Sequence, residues 1–423
     1  MSAATRVRHA DVQEVVTATG LRAYLVQAMQ VPFIAVDFAF RGGAATDPDG
    51  QEGLASLVSG LLDEGAGPYD SKAFRAELED NAIRLSFDAD KQVLAGDLRT
   101  LNTTREHAFE LLRLALTEPR FDTEPVERVR AQMLADLARR ESDPGARAQR
   151  AWFKAAFADH PYARPSAGTP ATVAALPAEA LRPWTRRHLT RRNLEIAVAG
   201  AITPEALAPL LDHAFGALPA GDLTFEVPSA RPFGPCLVVE PLPIPQSIVL
   251  FGHAGLGHDD PDYYPAQIVN YLLGGGGFSS RFMEEVREKR GLAYSVHAQL
   301  QDLERAPLWM GMVATSNERV GESLRLIRAE TARMAAGEVE EGELGDAKTY
   351  LTGSFPLRLT SNEQVAGMLL TMQLRRLGRD HLERRNALIE AVTLADVRRA
   401  AARLLHADRL IVAAAGQPVG LEV

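Results

Sequence analysis

Leu194-Glu195-Ile196-Ala197-Val198-Ala199-Gly200 and Leu410-Ile411-Val412-Ala413-Ala414-Ala415-Gly416 are the two stretches on which the reading of the fold turns. Their closing glycines stand 216 positions apart. Each is reached in the same way. Leu176-Pro177-Ala178-Glu179-Ala180-Leu181 leads through a basic helix into the first, and Val392-Thr393-Leu394-Ala395-Asp396-Val397 leads likewise into the second. Self-similarity at one fixed shift is the signature of a duplication. Two further landmarks agree with it. Asp47-Pro48-Asp49 recurs as Asp260-Pro261-Asp262, shifted by 213, and Thr103-x-x-Glu106 recurs as Thr315-x-x-Glu318, shifted by 212. The second pair reads as a capping box, in which hydroxyl and carboxylate take up orphan N–H groups at a helix start. Similar helices follow, Phe109–Leu114 and Leu324–Ile327. The chain therefore divides into a domain over 1–215, a Pro/Gly-rich linker over 216–234 and a second copy over 235–423.

Within a copy, strands and helices mix. Ile83, Leu85 and Phe87 alternate with polar residues, the pattern of a half-buried strand, and Val93 to Leu98 follows closely enough for a hairpin. Val126, Val129, Met133 and Leu137 fall on one helical stripe. Hairpin strands with helices gathered on one face predict an α+β domain with a largely antiparallel sheet.

Composition narrows the function classes. The 423 residues exceed what one core serves. A net charge of −9 with no Lys/Arg tract disfavours nucleic acid and anionic membrane as partners. No apolar run approaches the roughly 20 residues of a membrane helix, so no insertion is expected. The single cysteine, Cys236, rules out an intrachain disulfide and a thiolate zinc cluster, and is expected to be a small buried hydrophobe.

Three stretches resemble the M16 (pitrilysin-like) zinc peptidases. They are Phe40-Arg41-Gly42-Gly43-Ala44 with Asp47-Pro48 and Glu52-Gly53-Leu54-Ala55; Phe157-Ala158-Asp159-His160-Pro161-Tyr162 with Gly168-Thr169; and Leu273 to Phe282 continuing to Arg287–Val296. The resemblance implies two similar α+β domains facing each other like a clamshell, as in the mitochondrial processing peptidase. In active members the helix after Glu-Gly-Leu-Ala carries His-x-x-Glu-His, with both histidines on one helical face towards zinc. Here the matching positions hold Ser56, Ser59 and Gly60. The third ligand of the family falls near Asp136, which alone holds nothing and reads far better as a solvated helix-face carboxylate. His107-Ala108-Phe109-Glu110 comes nearest to a displaced motif, but Leu111 stands where the second histidine belongs. His253 and His258 have no carboxylate at helical spacing, and His160 belongs to a structural element of the family. No metal and no cofactor are expected in this chain.

The family's other functional element is an Arg and a Tyr seven residues apart, matched by Arg287 and Tyr294. The resemblance gives them the task of hydrogen-bonding a peptide backbone beside the zinc; the plain alternative is a basic helix face and the start of a strand. Gly275 and Gly276, in the run Gly274–Gly277, would line the peptide chamber. No Gly-Lys-Ser/Thr follows that run, so it is no phosphate loop. In members split over two chains, one subunit carries His-x-x-Glu-His and the other the Arg/Tyr pair. The sequence thus points to a subunit lacking its own zinc, paired with a homologous zinc-bearing subunit or with itself, and taking a peptide substrate. A non-proteolytic peptide-binding or assembly protein is the alternative, and a self-sufficient peptidase with a displaced site is a third reading that the histidine inventory disfavours. Met1–Arg6 has no apolar leader core, which read literally means cytoplasm. A trimmed leader fits the same residues, and the resemblance to exported bacterial members favours the periplasm.

Overall fold

The computed structural model describes residues 11–221 and 227–421. The N-terminal residues read for a leader, and 222–226 of the expected linker, lie outside the described residues. Two compact units are present. One takes Met1–Leu137, Pro165–Glu226 and Ser354–Arg385; the other takes Ala138–Arg164, Val227–Gly353 and Asn386–Val423. The halves of the sequence and the compact units are thus two different divisions of one chain.

The first unit holds a six-stranded sheet of β1 (Gln13–Val16), β2 (Arg22–Gln27), β3 (Phe33–Arg41), β4 (Arg84–Ala89), β5 (Val93–Leu101) and β6 (Leu194–Gly200), in the order β1-β2-β6-β3-β5-β4. Only the β2–β6 pairing is parallel. The second unit holds β7 (Cys236–Pro241), β8 (Gln246–Ala254), β9 (Ala293–Gln301), β10 (Leu308–Ser316) and β11 (Ile411–Gly416), in the order β7-β11-β8-β10-β9. There only β7–β11 is parallel. The hairpin expected at Ile83–Leu98 is β4–β5, and the two duplicated stretches that end at Gly200 and Gly416 are β6 and β11, at equivalent places in the two sheets.

In the central strands β3 and β6 of the first sheet, large side chains point to one face and alanines to the other. In β3, Ile34, Val36, Phe38 and Phe40 enter the main core, under helices that include Arg105–Thr117 and Pro204–Phe215. A second duplicated feature stands inside these cores. Phe38 lies where a Cβ on Gly96 would come within 2.3 Å of its ring, and Phe251 lies within 2.2 Å of the equivalent point on Gly311. Each aromatic ring fills space that a glycine on the neighbouring strand leaves open.

The opposite face is also covered. Ala35, Ala39, Ala197 and Ala199 lie under Val365, Ala366, Leu369 and Leu370 of the helix Asn362–Leu374. That helix comes from the C-terminal half of the sequence and belongs to the first unit. In the second unit the helix Pro144–Phe157, from the N-terminal half, packs on β11, β8 and β7. Its Trp152 donates from Nε1 to the Ile411 carbonyl at 3.0 Å. Beyond the expected helical face, then, each sheet has one further helix on its other side.

Three local expectations need correction. The helix Arg105–Thr117 has Thr104 at its N-cap with no side-chain cap bond. Thr315 lies in β10, its hydroxyl donating to the Leu292 carbonyl at 2.5 Å. Short polar residues at both places satisfy strand and turn groups before they can serve a helix. Capping boxes form instead at Thr169/Thr172 and Thr393/Asp396. Cys236 is half-buried, because β7 is an edge strand. Among the described residues no helix is long and apolar enough to cross a membrane.

Candidate functional site

In the first unit the short helix Leu54–Ser59 stands where the family resemblance locates the metal motif. Its start is built by buried Asp47, whose carboxylate accepts N–H groups from Gly53 and Ala55 at 3.1 Å and from Trp184 Nε1 at 3.1 Å. Gly53 enters the helix at φ +97°, which glycine alone adopts cheaply. Ser56 donates from Oγ to the Ser166 carbonyl at 3.0 Å, and Ser59 donates to the Ser56 carbonyl at 2.9 Å. A Cβ at Gly60 would stand 3.2 Å from Val129 Cγ1. Asp136 lies two turns beyond Val129, half-buried on the helix Thr123–Ser142. Two hydroxyls already committed to backbone carbonyls, a glycine and one carboxylate do not make a zinc donor set. Among the described residues no three His, Cys, Asp or Glu side chains form a metal-holding group.

The carboxylates that follow this helix escaped the sequence reading. Burial pushes Asp63 up to about 6. Burial also pushes its neighbour Glu64 up, yet hydrogen bonds from Arg128 at 2.6 Å and Ser71 at 2.5 Å hold it below the usual range. Glu64 thereby ties the turn to two helices, a structural role with no signal in sequence spacing.

In the second unit Arg287 and Tyr294 come together, and a third residue joins them. Tyr271–Gly275 and Met283–Glu288 are wound as π-helix, the Lys289 N–H reaching the Glu284 carbonyl five residues back at 2.9 Å. Such wide turns are rare and gather at functional sites. The second segment carries Arg287, and Gly291, three residues beyond its end, lies in the left-handed region at φ +58°. Tyr294 is the extra residue of a β-bulge: Ala293 faces Thr315 and Ser295 faces Ala314, leaving it without a partner on β10. A bulge re-aims the side chain it carries, and Tyr294 is 78% exposed.

The Arg287 guanidinium carbon lies 5.5 Å from the centre of the Tyr294 ring and 4.7 Å from that of Phe278, itself 64% exposed. Among the described residues no carboxylate pairs with Arg287, whereas Lys289 and Arg290 beside it are bound to Glu284 and Glu285. Gly275 and Gly276 do not join the cluster directly. A Cβ on Gly275 would lie 2.6 Å from Asn270 Nδ2, and one on Gly276 would lie 2.8 Å from the Tyr271 carbonyl. Both are glycine for close packing within the wide turn. Phe278 was missed because a lone aromatic after four glycines has no periodicity to announce it.

Two family models match the chain. Residues 22–170 match Insulinase (Peptidase family M16), and residues 175–351 match Peptidase M16 inactive domain. The chain is 29% identical over 346 residues to the "Non-peptidase homolog YmxG" of Helicobacter pylori, covering 81% of this chain and 78% of that one. It is 30% identical over 275 residues to an uncharacterized zinc protease of Streptomyces coelicolor, covering 62% of this chain and 58% of that one. A crystal structure of a peptidase M16 inactive domain from Pseudomonas fluorescens superposes with a TM-score of 0.91 at 27% identity, over 98% of this chain and 100% of that one. A protease from Helicobacter pylori shares the fold, with a TM-score of 0.86 at 16% identity over 96% and 99% of the two chains.

Proposed function

The chain belongs to the M16 peptidase family, and from that premise we propose that it is a non-catalytic subunit that holds peptide and completes the active site of a zinc-bearing homologue. The observation that carries this reading is Arg287: a guanidinium with no carboxylate partner among the described residues, bracketed by two exposed rings beside a bulged Tyr294. Its five donors form a rigid fork suited to a peptide carbonyl, and the tyrosine hydroxyl adds one more. Ser56, Ser59 and Gly60 offer no imidazole or carboxylate, so zinc chemistry would come from the partner. By analogy with exported members of the family, the compartment is the periplasm, with the cytoplasm as the alternative.

Mixing this chain with a zinc-bearing M16 homologue is expected to raise peptide hydrolysis above that of the homologue alone. Arg287→Ala and Tyr294→Phe should each remove most of the gain, since one donor to a carbonyl gaining charge is worth roughly 10²–10³-fold in rate. An unstimulated mixture, or stimulation indifferent to both substitutions, would overturn the reading. The name of the Helicobacter pylori relative, a non-peptidase homolog, favours a second reading. In it the chain holds peptide or assembles with other proteins without any proteolysis, and it would bind peptide with no effect on hydrolysis.

A further inference from the structure

Of residues 274–279, only Phe278 and Ser279 carry side chains. The loop they form is anchored at both ends. A Cβ on Gly274 would stand 2.8 Å from that of Ala298 in β9, and the Gly276 N–H donates to the Tyr271 carbonyl at 2.8 Å. At the far end Ser280 Oγ donates to the Gly277 carbonyl at 2.7 Å, and Arg281 forks onto Glu343 at 2.8 Å. Gly277 lies between, at φ +59° with open space around it. The ring that follows is held out over Arg287, closer to the guanidinium than Tyr294 is.

A long arginine side chain can be fixed by a carboxylate or by an aromatic face. A carboxylate would take up its donors and its charge; a ring confines it from one side and leaves every N–H free. From this geometry we propose that Phe278 is a positioning residue: it holds the Arg287 fork ready for a peptide carbonyl and makes the place of the glycine loop set the place of Arg287. The functional half rests on the reading of Arg287 given above; the positional half does not.

The test uses the whole chain, labelled with 15N, and reads the Arg287 Nε–Hε resonance, identified by its disappearance in Arg287→Lys. Ring currents should displace it in the unmodified chain. Phe278→Leu should return it towards the ordinary arginine position, while Tyr294→Phe, which keeps its ring, should leave it in place. In a mixture with a zinc-bearing homologue, Phe278→Leu should lower kcat about two- to fivefold, the worth of one exposed cation–π contact, with Tm unchanged. A resonance that does not move in Phe278→Leu overturns the proposal whatever the mixture does. A stimulated mixture whose rate Phe278→Leu leaves unchanged overturns it as well. A resonance that moves, with no stimulation by the unmodified chain, upholds the positioning and sinks the peptidase-subunit reading instead.

Discussion

His188 shows how a single side chain can be fixed by its surroundings. Its ring stacks on Trp184 at 3.9 Å, its Nδ1 lies 2.9 Å from the Trp184 carbonyl and its Nε2 lies 2.9 Å from Thr46 Oγ1. Burial pushes it down to about 4. His253 reaches the same value by burial, donating from Nδ1 to the Ala254 carbonyl and accepting the His406 N–H at Nε2. In the unfolded chain both rings take a proton near pH 6.5. Between pH 6.5 and about 4 the unfolded state therefore binds more protons. The stability tied to these rings is whole above pH 6.5 and is lost as pH falls towards 4. The two shifts are worth roughly 3 kcal/mol each at most. Urea titrations at pH 7 and pH 5 should differ accordingly, and His188→Gln should flatten the slope. A slope unchanged by that substitution would mean His188 titrates normally.

At the scale of elements, the two helices on the second faces bring segments distant in sequence onto each sheet. Asn362–Leu374 approaches the first sheet closely because alanines face it from β3 and β6, and because position 367 is glycine: a Cβ there would meet Asp37 Oδ2 at 3.2 Å. Gln373 adds a bond from Nε2 to the Ile196 carbonyl at 2.6 Å. Leu369, fully buried in this layer, is expected to cost about 2–5 kcal/mol when cut to alanine, read as a lower urea midpoint. A loss under about 1 kcal/mol would mean that the layer is loosely packed. The alternation Ile196-Ala197-Val198-Ala199 did carry a signal for this helix. Large residues on one face and small ones on the other mark a sheet approached closely on its small side. Which segment makes that approach cannot be read from Asn362–Leu374 itself, since its apolar residues are spread around the whole helix.

For the whole molecule, the donor chemistry at Ser56, Ser59 and Gly60 leads to a measurement that needs no partner. Elemental analysis after dialysis against trace zinc should find less than one zinc per chain, and a chelator should leave Tm unchanged. A structural zinc adds its binding energy to folding, so its removal would lower Tm. Stoichiometric, tightly held zinc would mean that the chain binds metal through residues other than those of the family motif. It would also remove the reason for assigning the chain a partner.

The sequence by itself determined the duplication, the α+β class, the β4–β5 hairpin and the family, because hydrophobic period, turn residues and motif spacing are local properties. It also determined that the metal motif is absent, since a serine or glycine cannot act as imidazole wherever the chain puts it. Only the tertiary structure decided which helices cover the second faces, that Asp47 caps the helix Leu54–Ser59, that Tyr294 stands on a bulge, and that Phe278 lies over Arg287. Each of these depends on residues brought together from separate segments or on a one-residue slip in register. Neither leaves a period in the chain, because contact between distant segments is chosen by shape and unsatisfied polar groups after the elements have formed.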